Sequence, residues 1–384
     1  MNKAQVASSF LNTHRFVVGA DSETQFKRAA GIRQDGTMAM YRDTDGRLFA
    51  IAGHTNSGHI SMFVGQTQAD LKELYPIDLC FGDGHASYAF SGIRYPEGIK
   101  ARGCIWPFGL YICPVTHRFF CFFHNETAWK GRGSGYDAYG YCTKPAYDSD
   151  FRHIGLMHSD DEGRSWVFDR WVLTAETVCF TEAFNPEGDG KIGQPMGAFS
   201  FGSGDFSIYV EPNGEYIYLY YNIIKADTNL RHWTDCDIYV ARTRKRFDGV
   251  MGDFVKYYNG AFCEAGNLGK ETPIVPAGWH PKVVYLEKHH KFLMSSSLAR
   301  LKPNGGMVNP IMEVRESDDM LHWSEPIRMT RDGEDFGGHY VGFYSDSAAG
   351  QPFVIEGDTL AILRNGNGTD VTRCYARIEA CEKA

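Results

Sequence analysis

The 384-residue chain sets 39 Lys and Arg against 47 Asp and Glu, a formal net charge of −8, with the cations dispersed along it. That balance excludes a nucleic-acid-binding surface, and no apolar stretch is long enough to cross a membrane as a helix. Forty-two Gly and 14% aromatic residues, with few runs of Ala, Glu, Lys and Leu, favour strands and turns over helices.

The first residues, MNKAQVASSFLNTHRF, contain no apolar core of the kind a secretory signal needs, so a cytoplasmic location is expected. The ten cysteines sit mostly in apolar strand patterns (Cys104, Cys113, Cys121, Cys374) and make no C-x-x-C pair, which fits buried, reduced thiols. No Pro/Ser-rich linker or charge block divides the sequence, and residues 1–384 read as one large all-β domain.

In chain order, HRFVVGA (14–20) is a lone apolar strand. TMAMYRD, RLFAIAGHT and HISMFVGQT follow from Thr37, each alternating with period two. GLYICPV (109–115) turns at Thr116–His117 into RFFCFFHNE (118–126), whose nearly continuous apolar run fits a strand covered on both faces. A long Gly- and Tyr-rich loop precedes RHIGLMHS (152–159), a polar turn and WVFDRWVLT (166–174), which complete a four-stranded meander. DFSIYVEP, EYIYLYYNII, CDIYVARTR and DFVKYYNG repeat the plan from Asp205, and PKVVYLE, KFLMSSS, IMEVRES and WSEPIRM repeat it from Pro281. QPFVIEG, TLAILRNG and VTRCYARIEA, from Gln351, lack an outer strand, and the N-terminal strand is placed to supply it. Recurrence of one strand–turn unit predicts a five-bladed β-propeller of four-stranded antiparallel blades, its ring closed by the opposite terminus. Residues 69–103 and 176–204 are long enough to hold a sixth blade.

The turn SDDEGRSW (159–166) matches S-x-D-x-G-x-x-W: Asp161 accepts turn amides, Gly163 supplies a positive φ and Trp166 plugs the blade base. ESDDMLHW (316–323) is a looser copy without the glycine. Such a turn joins third and fourth strands. The loops of a propeller's active face join second to third strands, or the fourth to the next blade's first. Asp160 and Asp161 therefore read as scaffold on the opposite face. The motif resembles that of sialidases and other propeller glycosidases, and IMEVRESDDMLHWSEP is similar to the corresponding strands of five-bladed furanosidase-type glycoside hydrolases. The resemblance implies the fold and carbohydrate chemistry. It does not extend to the arginine triad of sialidases or the NDPNG-type nucleophile motif of invertase-like enzymes, neither of which occurs here.

Topology then selects the residues of the active face. Second-strand ends give His54, His124, Glu126, Asn222 and Asn365, and first-strand starts give Arg33, Asp35, Trp106, Asp205, Trp279, His280 and Asp346. Carboxylates, amides, histidines and aromatic rings together are what a sugar site requires. Glu126 follows a strongly apolar strand that would raise its pKa, and is assigned the general acid. Asp205 follows Gly-Ser-Gly, opens its strand and is assigned base or nucleophile, with Asp346 tuning the pair. Arg33, His54, Trp106, His124, Asn222, Trp279, His280 and Asn365 are expected to bind substrate. The loop over 129–151 suits a rim that closes over it. The histidine spacings form no metal motif and no cofactor is expected, although a structural or central ion such as calcium is compatible with the fold. The expected partner is a carbohydrate, and the assembly state is not encoded legibly. Two rivals stand beside glycoside hydrolysis: a polysaccharide lyase using His or Tyr and Arg on a uronate, and a non-catalytic carbohydrate-binding propeller.

Overall fold

The computed structural model describes residues 9–26, 34–54, 60–77, 93–94, 104–126, 152–174, 198–227, 232–301, 307–365 and 370–381. Among them, antiparallel meanders make five blades. Blade I comprises Ala39–Arg42, Leu48–Gly53, Ile60–Gly65 and Lys72–Ile77, and blade II Cys104–Ile112, Phe119–Glu126, Arg152–Ser159 and Trp166–Leu173. Blade III runs through Ala198–Val210, Tyr216–Asp227, His232–Arg244 and Val255–Tyr258, with Ala261–Ala265 added at its edge. Blade IV is Trp279–Leu286, Lys291–Leu301, Met307–Ser317 and Ile327–Arg328. Blade V is His339–Tyr344, Thr359–Asn365 and Val371–Ala380, completed by His14–Val18.

The ring closes as the sequence predicts. His14 pairs with Ala380 and Val18 with Ala376, so the first strand covers the edge of the last. The short helix Phe10–Thr13 anchors this strand, because the Phe10 and Leu11 amides donate to Glu316 Oε1 and Oε2 at 3.1 and 2.8 Å. Inner strands pack against one another in order from blade I to blade V. The Met38 amide donates to Tyr344 Oη at 3.0 Å and joins blade V to blade I.

The turn motif folds as scaffold. Ser159 Oγ accepts from Gly163 N at 2.8 Å, Asp161 Oδ1 accepts from Ser165 N at 2.8 Å, and Trp166 Nε1 donates to Gly163 O at 2.9 Å. Trp166 is fully buried. In the looser copy Met320 takes the left-handed conformation (φ 66°), and Asp319 Oδ1 accepts from Leu321 N and His322 N.

Three expectations about strands are corrected. The inner strand of blade V is His339–Tyr344, not the segment from Gln351. Val354–Ile355 pairs parallel with Tyr285 and Leu286 of blade IV instead. HYVGFY escapes a period-two reading because glycines at 337, 338 and 342 interrupt its apolar pattern. Asp205 does not open its strand, which begins at Ala198 and continues through the glycines by way of two register shifts. Blade I has a fourth strand, Lys72–Ile77, where the sequence showed three; the Ile93–Arg94 pair aligns with Trp166 and Val167 of blade II, and most of residues 78–103 and 176–197 lies outside the described residues.

Candidate active site

Four of the inner strands are bulged, between Pro107 and Gly109, Gly204 and Ser207, Trp279 and Lys282, and His339 and Gly342. A bulge re-aims the side chain it carries. In blades III, IV and V that side chain is Asp205, His280 and Tyr340, all left-handed with φ of 45°, 54° and 50°. For non-glycine residues this costs about 1–3 kcal/mol each. Equivalent strain at the inner-strand bulges of three successive blades marks a built feature.

A clasp from the preceding blade holds each bulge. His124 Nδ1 accepts from Asp205 N at 3.0 Å. Asn222 Oδ1 accepts from His280 N at 2.7 Å, while its Nδ2 donates to Gly278 O and Asp237 O. Ser297 Oγ donates to Gly338 O at 3.2 Å, just before the blade V bulge. Asn365 Nδ2 donates to Gln34 O at 2.6 Å and fixes the segment that carries Asp35. In blade I the His54 ring stacks on Trp106 of blade II at 5.5 Å. His124, Asn222 and Asn365 are therefore positioned to shape the site through the backbone, and their polar groups face protein.

Asp205 is the centre of the group. Arg152 Nη1 donates to its Oδ2 at 2.8 Å and Tyr340 Oη to its Oδ1 at 2.8 Å. Both partners of the ion pair are nearly inaccessible, with side-chain exposures of 6% and 5%. Burial alone would raise the Asp205 pKa; the Arg152 guanidinium, with the neighbouring His124 and His280 rings and the Tyr340 hydroxyl, outweighs it and holds the carboxyl well below the carboxylate range. Arg152 reaches this position because its backbone bridges to Gly202 of blade III, where a Cβ would meet Arg152 O at 2.4 Å. Only glycine permits that approach.

Around Asp205 runs a continuous chain of rings. Trp106 meets His124 at 5.3 Å, His124 stacks on Phe108 at 5.4 Å, and Phe108 meets Tyr340 at 5.7 Å. Tyr340 lies 4.0 Å from His280, and His280 is edge-on to His339 at 4.5 Å. Burial pulls the His280 pKa down to about 3, so the imidazole is neutral at neutral pH. Burial and the neighbouring Asp205 push the Tyr340 phenol well up, so it stays protonated. Asp35 completes the group: its Oδ1 lies 3.5 Å from His339 Nε2, and its side chain is 42% exposed. Desolvation opposes its ionisation, but the hydrogen bond and charge of His339, with the charge of His54, keep its carboxyl below the ordinary value. Asp205 and His280 both feel its charge.

The sequence-selected residues thus separate. Asp205, His280, His54, His124, Trp106, Trp279, Asn222 and Asn365 gather at this end of the blades; Trp106 and Trp279 are buried in its wall. Asp346 does not join them. With His339–Tyr344 as the inner strand, it follows that strand instead of preceding it, and its oxygens accept from Gln68 N and the Tyr375 hydroxyl. Arg33 and the loop over 129–151 lie outside the described residues, and for Glu126 the backbone alone is described, paired with Cys104 and Arg152. Selection by second-strand ends and first-strand starts passed over Arg152. It opens a third strand, and third strands start at the same end of the blade. Among the described residues no three His, Cys, Asp or Glu side chains group as a metal-ligand set.

No family model and no curated protein sequence matches the chain. Solved structures do resemble it. A family 117 glycoside hydrolase, Zg3597, from the marine bacterium Zobellia galactanivorans superposes with a TM-score of 0.50 at 11% identity, over 95% of this chain and 91% of that one. A putative exo-β-1,3-galactanase from Bifidobacterium bifidum gives 0.47 at 13% identity, over 96% and 97% of the two chains. An endo-1,5-α-L-arabinanase from Thermotoga petrophila gives 0.46 at 12%, over 94% and 72%. At these identities the likeness is one of fold.

Proposed function

We propose that this protein is a glycoside hydrolase whose reaction takes place in the depression built by the inner-strand bulges, without a cofactor. The observation that carries the reading is the convergence of two ionised carboxylates, Asp205 and Asp35, with the neutral His280 beside both. Glycoside cleavage needs an ionised carboxylate and a protonated donor on either side of the scissile bond. Asp35 is the better candidate for the base: it is ionised, 42% exposed and engaged by His339 at Oδ1. Asp205, with both oxygens held, serves as a fixed negative charge that stabilises positive charge developing on the sugar. This revises the assignment of base or nucleophile to Asp205. Glu126 remains the proposed acid, since its strand register sets it directly across from Arg152 at the same end of blade II. The resemblance to Zg3597, itself a glycoside hydrolase, supports the same class.

Tyr340 donates its hydroxyl to Asp205 and is held protonated, so it is poorly suited to abstract a proton, and the lyase reading has less support. The test is reducing-end release from a panel of oligosaccharides. Asp35→Asn and Glu126→Gln should each lose about 10²–10⁴-fold in kcat/KM while keeping the wild-type circular dichroism. Wild-type turnover in both variants would refute the assignment. Glycan binding without turnover by the wild-type protein would refute hydrolysis, and an unsaturated product would identify a lyase.

A further inference from the structure

Lys282 is the first residue past the blade IV bulge, and its side chain crosses toward blade V instead of leaving for solvent. The path exists because residue 342 is glycine: a Cβ there would lie 2.9 Å from Lys282 Cγ. The ammonium comes to rest 4.7 Å from the centroid of the Tyr344 ring, and the Tyr344 hydroxyl is tied to Met38 of blade I. Nζ therefore lies among the inner strands of blades IV, V and I, and Lys282 as a whole is 5% exposed. Among the described residues no acceptor meets Nζ. Burial alone lowers its pKa, to about 7, with no carboxylate opposing the shift. A lysine so largely buried with no counter-charge beside it is costly to keep charged, and an aromatic face does not neutralise it.

A second observation points the same way. Ser207 is the residue past the bulge in blade III, the register equivalent of Lys282 in blade IV. Its side chain is fully buried and its Oγ has no hydrogen-bond partner. Two adjacent blades thus place, at one level of the inner-strand wall, an ammonium and a hydroxyl whose donor capacity the protein leaves unused. Buried polar groups in native proteins are ordinarily satisfied, and exceptions call for a ligand or an ordered water.

We propose that the inner-strand wall below the active-site depression binds a small monovalent inorganic anion of the halide class, held by Lys282 Nζ with Ser207 Oγ as a second donor. The anion satisfies both groups and keeps the lysine charged. The site is separate from the reading of the depression above it and does not depend on glycosidase activity.

Bromide is the probe. Wild-type crystals soaked in sodium bromide should show an anomalous peak within about 3.5 Å of Nζ. In solution, bromide titrated against gluconate at matched ionic strength should raise the melting temperature along a saturable curve. Lys282→Met should abolish the saturable component. Ser207→Ala, which keeps the lysine and guards against a Lys282 variant that does not fold, should raise the half-saturating concentration about tenfold, the factor that corresponds to losing one modest hydrogen bond. Anomalous peaks confined to the outer surface, or the same bromide response in wild type and variants, would overturn the proposal.

Discussion

Replacing Arg152 with Met should expose the energetics on which the candidate site rests. The substitution leaves the Asp205 carboxylate buried with Tyr340 as its remaining side-chain donor. Removing one partner of a buried ion pair costs about 3–5 kcal/mol. Because the Tyr340 hydrogen bond survives, the lower end applies, about 3 kcal/mol at neutral pH, and at 1.36 kcal/mol per pKa unit this equals an upward shift of about 2 units for Asp205. The two proteins should then differ in their response to acid. In the wild type the depressed carboxyl contributes stability that is complete above the ordinary Asp value, near pH 4, and is lost as pH falls through the lower folded value. In the variant the folded value moves up by about 2 units to just below the ordinary Asp value, so most of that stability is missing at neutral pH and the variant takes up its proton at a higher pH than the wild type. Urea denaturation followed by tryptophan fluorescence at pH 7 and pH 2 should therefore show a stability gap of about 3 kcal/mol that narrows at the lower pH, where the variant's carboxyl is protonated. A gap below about 1 kcal/mol, or one equal at both pH values, would refute the claim that Arg152 offsets the burial of Asp205.

Tyr340→Phe removes a hydrogen bond to a charged group and should cost about 1.5–3 kcal/mol in urea denaturation, with a loss in kcat from the same displaced carboxylate. Asp161→Ala should destabilise the turn at 159–166 by about 1–2 kcal/mol and leave kcat/KM unchanged, which separates scaffold carboxylates from those of the depression. Deleting residues 1–18 bares the edge of Val371–Ala380; a lower melting temperature and concentration-dependent aggregation, read by light scattering, are expected.

The blade plan was legible because strand periodicity and the turn at 159–166 are local signals. Closure by His14–Val18 followed from counting strands in the last repeat. Glycine concealed the rest. It interrupts HYVGFY, so the blade V inner strand went unseen and Asp346 was assigned to the wrong end of its blade. Gly202 and Gly204 read as a strand start, whereas they let blades II and III approach and carry Asp205 on a bulge in mid-strand. The bulges themselves depend on pairing between strands distant in sequence, and no local pattern announces a left-handed Asp, His or Tyr. The polar second-strand ends are legible as a set, but their contacts are not: His124, Asn222 and Asn365 bond the backbone of the next blade, and so bear on the site by shape.

The most direct test of the account is a crystal structure of the Asp35→Asn variant soaked with an oligosaccharide that a glycan array shows to bind. A sugar ring is expected in the depression, within hydrogen-bond distance of residue 35 and in contact with His280. Sugar density confined to the outer strands, or to the face that carries the turn at 159–166, would contradict it.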